Sequence, residues 1–562
     1  MAPDDIEGLR ARYATLRGYW RDHGPQAELD WHGAGIYDPD LGQCVTQHYA
    51  LSHLVLAAAL LHELTGEAGY GDNAARMAAL LARHQAGRYR PFEPNSIHWD
   101  FNNFAWLNVA LLPASSELRR LLADPSLDGL AHENGTWAGN WLTMRQVNST
   151  LRRRLGLRNR SWRLGPEVLL WQRLFRRDGG IDEFPGRSRP LQYHAYVLAL
   201  MLRRFVATGD LSSLDERRLH DGVGFLLGHV DACGRANYRG RGQYQLFGEG
   251  CLRYVLAVMA AWHERADARG ACAEALARIQ GQVWPERPDG LLALVGTDPA
   301  GERRGSHYDY HHVTVYNAFD LAWRLLALHD ARTIASLRPP RRPAPGPAAG
   351  LLADSGIWLH RAGPWLVALA AGEEMFLSDV GLTFCHIGGP RGVLFTAPGG
   401  PHPSRYGKMH GHDGLRANVF GPLLVGPDGT GLPHFQRGSL RRDGDGVRAR
   451  VSAGTARLDR LVRVDGKTLA VTDTAVFPAA APVRHIFHWA VPAALALHSA
   501  APGTWTVGRA GESPLAALRF AGAAPTLARG EPFRGPGGLV RPWFIEAGAG
   551  PAEITFTLEL FE

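Results

Sequence analysis

The sequence predicts an α+β multidomain chain: an N-terminal (α/α) toroid of antiparallel helix hairpins over residues 1–337, a Pro-rich linker over 338–350, and a C-terminal antiparallel β-sandwich over 351–562. Three observations carry that reading. A chain of 562 residues exceeds what one hydrophobic core organises, so it divides into at least two domains. The stretch RPPRRPAPGPAAG at 338–350 marks the division, because proline fixes φ, lacks an amide donor and makes a semi-rigid connector. Across that stretch the apolar period changes from helical to alternating.

Before the break, apolar residues recur at helical spacing in HYALSHLVLAAALLHELTG, NAARMAALLARHQ, NWLTMRQVNSTLRRRLGL, GPEVLLWQRLFRRDG, LQYHAYVLALMLRRFVATG, RRLHDGVGFLLGHV, EGCLRYVLAVMAAWHERA and HVTVYNAFDLAWRLLALHD. Many end in Gly or Asp-Gly, the residues that close a helix in a left-handed turn. No repeat of about 34 to 47 residues recurs, so a closed ring of hairpins is preferred to a helical solenoid. After the break, GIWLHRAGPWLVALAAG, RLDRLVRVDGKTLAVTDTAVF and AEITFTLELFE alternate in character and are separated by Gly, Asp-Gly and Pro, as antiparallel strands are.

Composition narrows the function. Lys+Arg number 61 against 54 Asp+Glu, a net charge of +7 carried almost wholly by arginine, whose planar fork suits carboxylates and phosphates. The basic residues are dispersed and form no nucleic-acid-binding signature, so the acidic partner read here is not nucleic acid. The five cysteines (Cys44, Cys233, Cys251, Cys272, Cys385) are widely spaced and include no CxxC, which indicates buried thiols rather than a disulfide framework or cysteine zinc site. No apolar run reaches membrane-spanning length and the opening residues lack the apolar core of a signal peptide. The chain therefore reads as unexported as written, or as periplasmic or secreted if a leader was removed.

Four segments between the helices are rich in aromatic and amide residues: HWDFNNFAW (98–106), HENGTWAGNW (132–141), NYRGRGQYQLFGEG (237–250) and SHYDYHHVTVYN (306–317). Flat rings pack on the CH faces of sugars, while amides and guanidinium groups reach hydroxyls and carboxylates. They read as loops bordering a carbohydrate groove. Asn102, Asn103, Trp106, Trp137, Trp141, Arg145, Gln245, Glu249, Tyr310 and His311 are the expected substrate contacts.

One segment bears chemistry of its own. IDEFPGRSRPLQYHAYVLAL (181–200) places two arginines, two tyrosines and a histidine at the start of an apolar helix. It resembles the segment of α/α-toroid alginate lyases in which an acidic residue and arginines lead into an "RxLxYHxY" run. The order of helical domain, Pro-rich connector and β-sandwich resembles the heparinase II/III-like polysaccharide lyases. The resemblance implies that Tyr193 is the catalytic acid or base, attended by Arg187 or Arg189. Where the alginate lyases hold Asn-Asn-His, this chain reads Gly139, Asn140, Trp141, so Asn140 is the implied amide. The histidine role stays open among His194, His311 and His312.

The chemistry joins these residue types. β-Elimination across C4 and C5 of a uronate removes a proton that is hardly acidic while the adjacent carboxylate is charged, so amide or guanidinium groups must stabilise the enolate-like charge. A phenol of pKa ~10 needs positive charge nearby before it can act as base, and it then returns the proton to the leaving oxygen. The implied activity is a polysaccharide lyase acting on an acidic, uronate-containing glycan with no required cofactor. Two other classes are kept. A toroid glycoside hydrolase needs two carboxyls, which Asp182, Glu183, Glu249 and Asp309 could supply; a non-catalytic glycan-binding protein would need the aromatics alone. In the β half, KMHGHDGLR offers His410, His412 and Asp413 as ligands for a structural zinc, or His410, His412 and Arg416 as substrate contacts, with His485 and His488 further on.

Overall fold

The computed structural model describes residues 5–23, 36–45, 49–86, 98–112, 137–157, 164–186, 189–240, 245–263, 270–282, 284–294, 312–371, 381–387, 393–396, 421–425, 431–432, 438–453, 456–476, 484–492, 494–521, 525–529, 533–535, 538–547 and 553–561. Helices fill the first part: α1 (Ile6–His23), α2 (Ala50–Thr65), α3 (Ala68–Ala86), α4 (Trp99–Leu111), α5 (Gly139–Arg154), α6 (Leu164–Gln172), α7 (Leu191–Thr208), α8 (Ser213–Gly228), α9 (Leu246–His263), α10 (Ala271–Gln280) and α11 (Val313–Ile334). A short hairpin, β1 (Ile36–Asp38) with β2 (Gln43–Val45), follows α1.

Six helices pack in a closed cycle: α2 on α4, α4 on α5, α5 on α7, α7 on α9, α9 on α11, and α11 back on α2. Four others lie against single members of that cycle, α3 on α2, α6 on α5, α8 on α7 and α10 on α9, and α1 lies against both α11 and α2. The inner helices are apolar nearly all round: α2 buries Ala50 to Leu61 without a break and α7 buries all but two of its residues, as a helix enclosed on every side must. A polar knot ties four of the six. Arg203 of α7 donates to Asn108 of α4 at 2.5 Å and to Asp330 of α11 at 2.7 Å, and Tyr254 of α9 donates to Asp330 at 2.6 Å. Arg203 draws the Asp330 carboxyl below its usual range against the cost of burial.

The second part is all antiparallel among the described residues. A five-stranded sheet runs β3 (Gly350–Leu352), β4 (Ile357–Ala362), β5 (Trp365–Ala370), β6 (Gly381–Ile387) and β7 (Val393–Thr396). An eight-stranded sheet is ordered Gly438–Asp443, Gly446–Ala453, Ala456–Asp465, Thr468–Val476, Glu553–Leu560, Ala516–Ala521, Thr504–Gly508 and Ala496–Ala501. A third sheet is centred on Arg484–Pro492 and Gly538–Ala547. Strand β5 is buried on both faces, which is why WLVALA is apolar throughout rather than alternating. Leu366, Ala368 and Ala370 pack with Leu191, Phe225 and Tyr238 of the helical part. Trp365, Val367 and Leu369 pack with Val447, Val462 and Val471 of the eight-stranded sheet. One bidentate pair, Arg460 with Asp473 at 2.7 and 2.8 Å, is fully buried in that sheet.

The Pro-rich stretch runs along the helices and is tied to them by hydrogen bonds. Buried Glu216 of α8 accepts from Arg338 at 2.8 Å and from the Arg341 amide at 2.5 Å. Trp262 donates to the Arg338 carbonyl, and Ala348 N to Gly224 O. Arg361 of β4 donates to the carbonyls of Leu227, Gly228 and Val230, placing a cation at the end of α8, where the helix dipole and its unpaired carbonyls favour one.

Candidate active site

The N-terminal ends of the six inner helices meet in one aromatic cluster. Tyr49, before α2, stacks on Phe101 of α4 at 4.3 Å and lies 6.5 Å from Tyr316 of α11. Phe101 lies 5.0 Å from Trp141 of α5, 5.7 Å from Tyr196 of α7 and 6.4 Å from Phe247 of α9. These residues stand at or near the start of their helices, so six helix N-termini face the same end of the ring. Each carries a partial positive charge of about half an elementary charge. The aromatic segments read as loops are here the helix starts themselves: 98–106 lies within α4 save His98, and the ends of the other three begin α5, α9 and α11. Aromatic and Asn residues have modest helix propensity, and tertiary packing overrides it.

Tyr193 belongs to this end, its ring 5.7 Å from that of Phe247. It keeps 7% of its surface exposed, whereas Tyr196, one turn deeper, has none, donates to Met144 Sδ and has its phenol pushed well above the usual range by burial. Of the two tyrosines, only Tyr193 keeps any exposed surface. The turn that presents it is clamped by Asp182. That carboxylate, wholly buried, pairs with Arg189 at 2.8 Å, accepts from the Gly186 amide at 2.8 Å and binds Arg176. Asp182 bonding raises the Arg176 guanidinium against burial.

The same segment fixes Asn140. Gly139 N donates to Glu183 O at 2.6 Å, and a Cβ on Gly139 would lie 2.7 Å from Asp182 O. Only glycine lets α5 begin against that backbone. Asn140, 3% exposed, follows at once, and its Oδ1 has no hydrogen-bond partner among the described residues. Helices α5 and α7 pack together, so Asn140 and Tyr193 stand at the same end of neighbouring helices.

The remaining expected residues divide. Trp137 is 62% exposed just before α5, Trp141 and Asn102 are half-buried, and Asn102 donates to His98 O at 3.3 Å. Asn103 and Gln245 are buried at the starts of α4 and α9. Three further expected residues have their side chains in the core. Trp106 is buried two turns inside α4, where the ring's core takes the side chain that the groove was expected to hold. Arg145 is buried against α6 and pairs with Glu167 at 3.2 Å. His194 faces α8: its Nε2 donates to Gly222 O at 2.8 Å and its ring stacks on Phe225 at 5.0 Å. Burial pushes its pKa down to about 4, with the Gly222 bond opposing and Arg239 assisting, so it is a neutral core histidine. Glu249 pairs with Arg253 at 2.8 Å. Asp182 is saturated and Glu183 is buried, so neither they nor Glu249 offers the unoccupied carboxyl pair of a hydrolase.

Arg187, Asp309, Tyr310, His311, His410, His412, Asp413 and Arg416 lie outside the described residues. Among the described residues no group of three His, Cys, Asp or Glu side chains is arranged to hold a metal ion, and no helix is long and apolar enough to cross a membrane. Four residues at this end were not singled out from sequence. Arg239 is 1% exposed, its carbonyl accepts from Leu191 N at 3.1 Å, and its charge helps to depress His194 and His229. Gln192 and Asn237 are buried beside it. His98 and the expected His312 are half-buried N-cap residues of α4 and α11. The only sequence signal for Arg239 and Asn237 was their place in NYRGRG.

This ring-and-sheet arrangement is one that solved polysaccharide lyases share. A chondroitin AC lyase from Streptomyces coelicolor A3 superposes over 100% of this chain and 80% of its own with TM-score 0.54 at 13% identity. A chondroitinase AC lyase solved with oligosaccharides superposes over 98% and 82% with TM-score 0.51 at 10% identity. A heparan sulfate lyase from Pedobacter heparinus covers 97% and 83% at 13% identity, with TM-score 0.39. The likeness to the chondroitin AC lyases is one of fold. No protein-family model matches the chain, and no curated protein matches it.

Proposed function

We propose that the protein is a polysaccharide lyase that cleaves a uronate-containing acidic polysaccharide by β-elimination, on an (α/α) toroid of residues 1–337 joined through 338–350 to a β-sandwich of 351–562. The observation that carries this reading is Tyr193: a tyrosine on the first turn of α7 that keeps 7% of its surface exposed, at an end of the ring where six helix N-termini gather positive potential. An acidic glycan is drawn to such an end. Asn140 and Arg189 or Arg187 hold the uronate carboxylate, and Trp137 and Trp141 pack on sugar faces. Tyr193 Oη takes the C5 proton, the C5–H pair becomes the C4=C5 double bond, the C4–O bond breaks, and the leaving oxygen receives the proton from Tyr193.

The experiment is incubation with a panel of uronate polymers while following near-ultraviolet absorbance of the unsaturated product. Wild type generates it, and Tyr193→Phe lowers turnover by about a thousandfold or more while folding and oligosaccharide binding persist. New reducing ends without absorbance would identify a hydrolase, and binding with neither a glycan-binding protein. Full activity in Tyr193→Phe would remove Tyr193 from the mechanism.

A further inference from the structure

Near the start of α7 the fold keeps two buried amides, Gln192 and Asn237, with polar atoms that find no partner among the described residues. Gln192, on the first turn of α7, is 1% exposed, and neither Oε1 nor Nε2 has a hydrogen-bond partner among the described residues. Asn237, 2% exposed, leaves Oδ1 equally unmet, and its backbone at φ 54 is the one non-glycine in the left-handed region among the described residues. The two share one place. A Cβ on Gly248 would lie 2.5 Å from Gln192 Cβ and 3.0 Å from Asn237 Nδ2. Gly248 follows Phe247, whose ring lies 5.7 Å from that of Tyr193. The amide pair and the phenol therefore flank the same first turn of α9. Buried polar groups in folded proteins are almost always satisfied, and burying an amide unpaired is costly, so two adjacent exceptions at this end of the ring point to a ligand.

We propose that Gln192 and Asn237 recognise an uncharged, hydroxyl-bearing edge of the sugar bound beside Tyr193, so that the enzyme selects uronate polymers left unsulfated at that position; this rests on the lyase reading above. Gln192 presents one acceptor and one donor group, whichever way its amide is turned, and Asn237 adds a second acceptor. A hydroxyl meets such a set, since it both donates and accepts. A sulfate ester has only acceptor oxygens and would set them against carbonyl oxygens with no hydrogen between.

The test compares wild type with Gln192→Leu and Gln192→Glu on an unsulfated uronate polymer and its chemically O-sulfated form, with thermal midpoints and calorimetric binding of an unsulfated oligosaccharide. Wild type prefers the unsulfated polymer at least tenfold in kcat/KM. Gln192→Leu raises KM for it about tenfold, the loss of two hydrogen bonds, and erodes the preference, while its thermal midpoint holds or rises because an unmet amide is gone. A KM within twofold of wild type with that same midpoint, or an unchanged preference, overturns the proposal. Should Gln192→Leu fail to fold, the isosteric Gln192→Glu decides: with its donor gone it binds the unsulfated oligosaccharide at least tenfold more weakly while still rejecting the sulfated polymer if the proposal holds, and binds it as wild type does if not. If no uronate polymer yields unsaturated product, the lyase reading fails, and calorimetry judges the amide site separately. Oligosaccharide binding weakened tenfold in the variant upholds it, and equal or absent binding overturns it.

Discussion

Replacing Asp182 tests how the chain holds its reactive tyrosine in place. Its carboxylate is wholly buried and binds Arg189, itself 6% exposed, together with Arg176 and the Gly186 amide. Asp182→Ala strands the Arg189 charge in a dry site, a loss of about 3–5 kcal/mol. Arg176 is 27% exposed and can turn to water, so it adds little. For a helical half of this size the cost corresponds to a fall in thermal midpoint of roughly 6–15 °C. Asp182→Leu combined with Arg189→Met replaces the pair by apolar groups and restores most of that stability, as buried ion pairs removed together often allow. It does not restore turnover, because the charge beside Tyr193 is gone. Circular-dichroism melts and the absorbance assay read the two quantities independently. A midpoint within 2 °C of wild type for Asp182→Ala, or wild-type turnover in the double variant, would refute the reasoning.

Other outcomes follow from the same contacts. Gly139→Ala drives a Cβ to 2.7 Å from Asp182 O, which shifts the first turn of α5 and should lower kcat/KM at least tenfold by displacing Asn140, with a stability loss of about 1–3 kcal/mol in urea melts. Glu216→Gln weakens its hold on Arg338 and the Arg341 amide; limited proteolysis read by mass spectrometry should show cleavage within 338–350 that wild type resists. Acidification should destabilise the fold between about pH 6.5 and 4. Burial pushes His53, His194 and His263 down to about 4, so in that window the unfolded chain binds protons that the folded chain refuses, and stability present at neutral pH is lost as pH falls. Asp231, raised by burial to about 6, works in the opposite sense, but one group does not offset three. Melts from pH 7 to 4 that show no fall would contradict the burial of these histidines.

Much of the arrangement was legible because periodicity follows burial. Helix α7 and strand β5 announce themselves, one by its apolar run and the other by six apolar residues in a row. The boundary near Pro339 was visible as composition, but its docking was not, since Glu216 and Gly224 lie more than a hundred residues away in sequence. Helix α1 has no long apolar run, because it buries only the single stripe of Leu9, Tyr13, Leu16 and Trp20. Tyr193 could be named through the resemblance of its segment, in which two arginines and an aromatic pair crowd one helix start, to that of the α/α-toroid alginate lyases. Its neighbour His194 was equally prominent in sequence and is turned into the core, since adjacent helical residues point about 100° apart. Gln192 and Asn237 lay inside the quoted segments but carried no signal of their own, because an amide is ordinary until its burial is seen.

The sheet trapped between the two halves bears on what the halves can do alone. Its inner face rests on Leu191, Phe225 and Tyr238, and Leu191 is the residue from which α7 sets out, two positions before the phenol. The β half thus serves as the foundation under the reactive turn rather than as an appendage, and a chain cut off at the prolines would leave a greasy footprint where that foundation stood and a tyrosine with nothing to brace it.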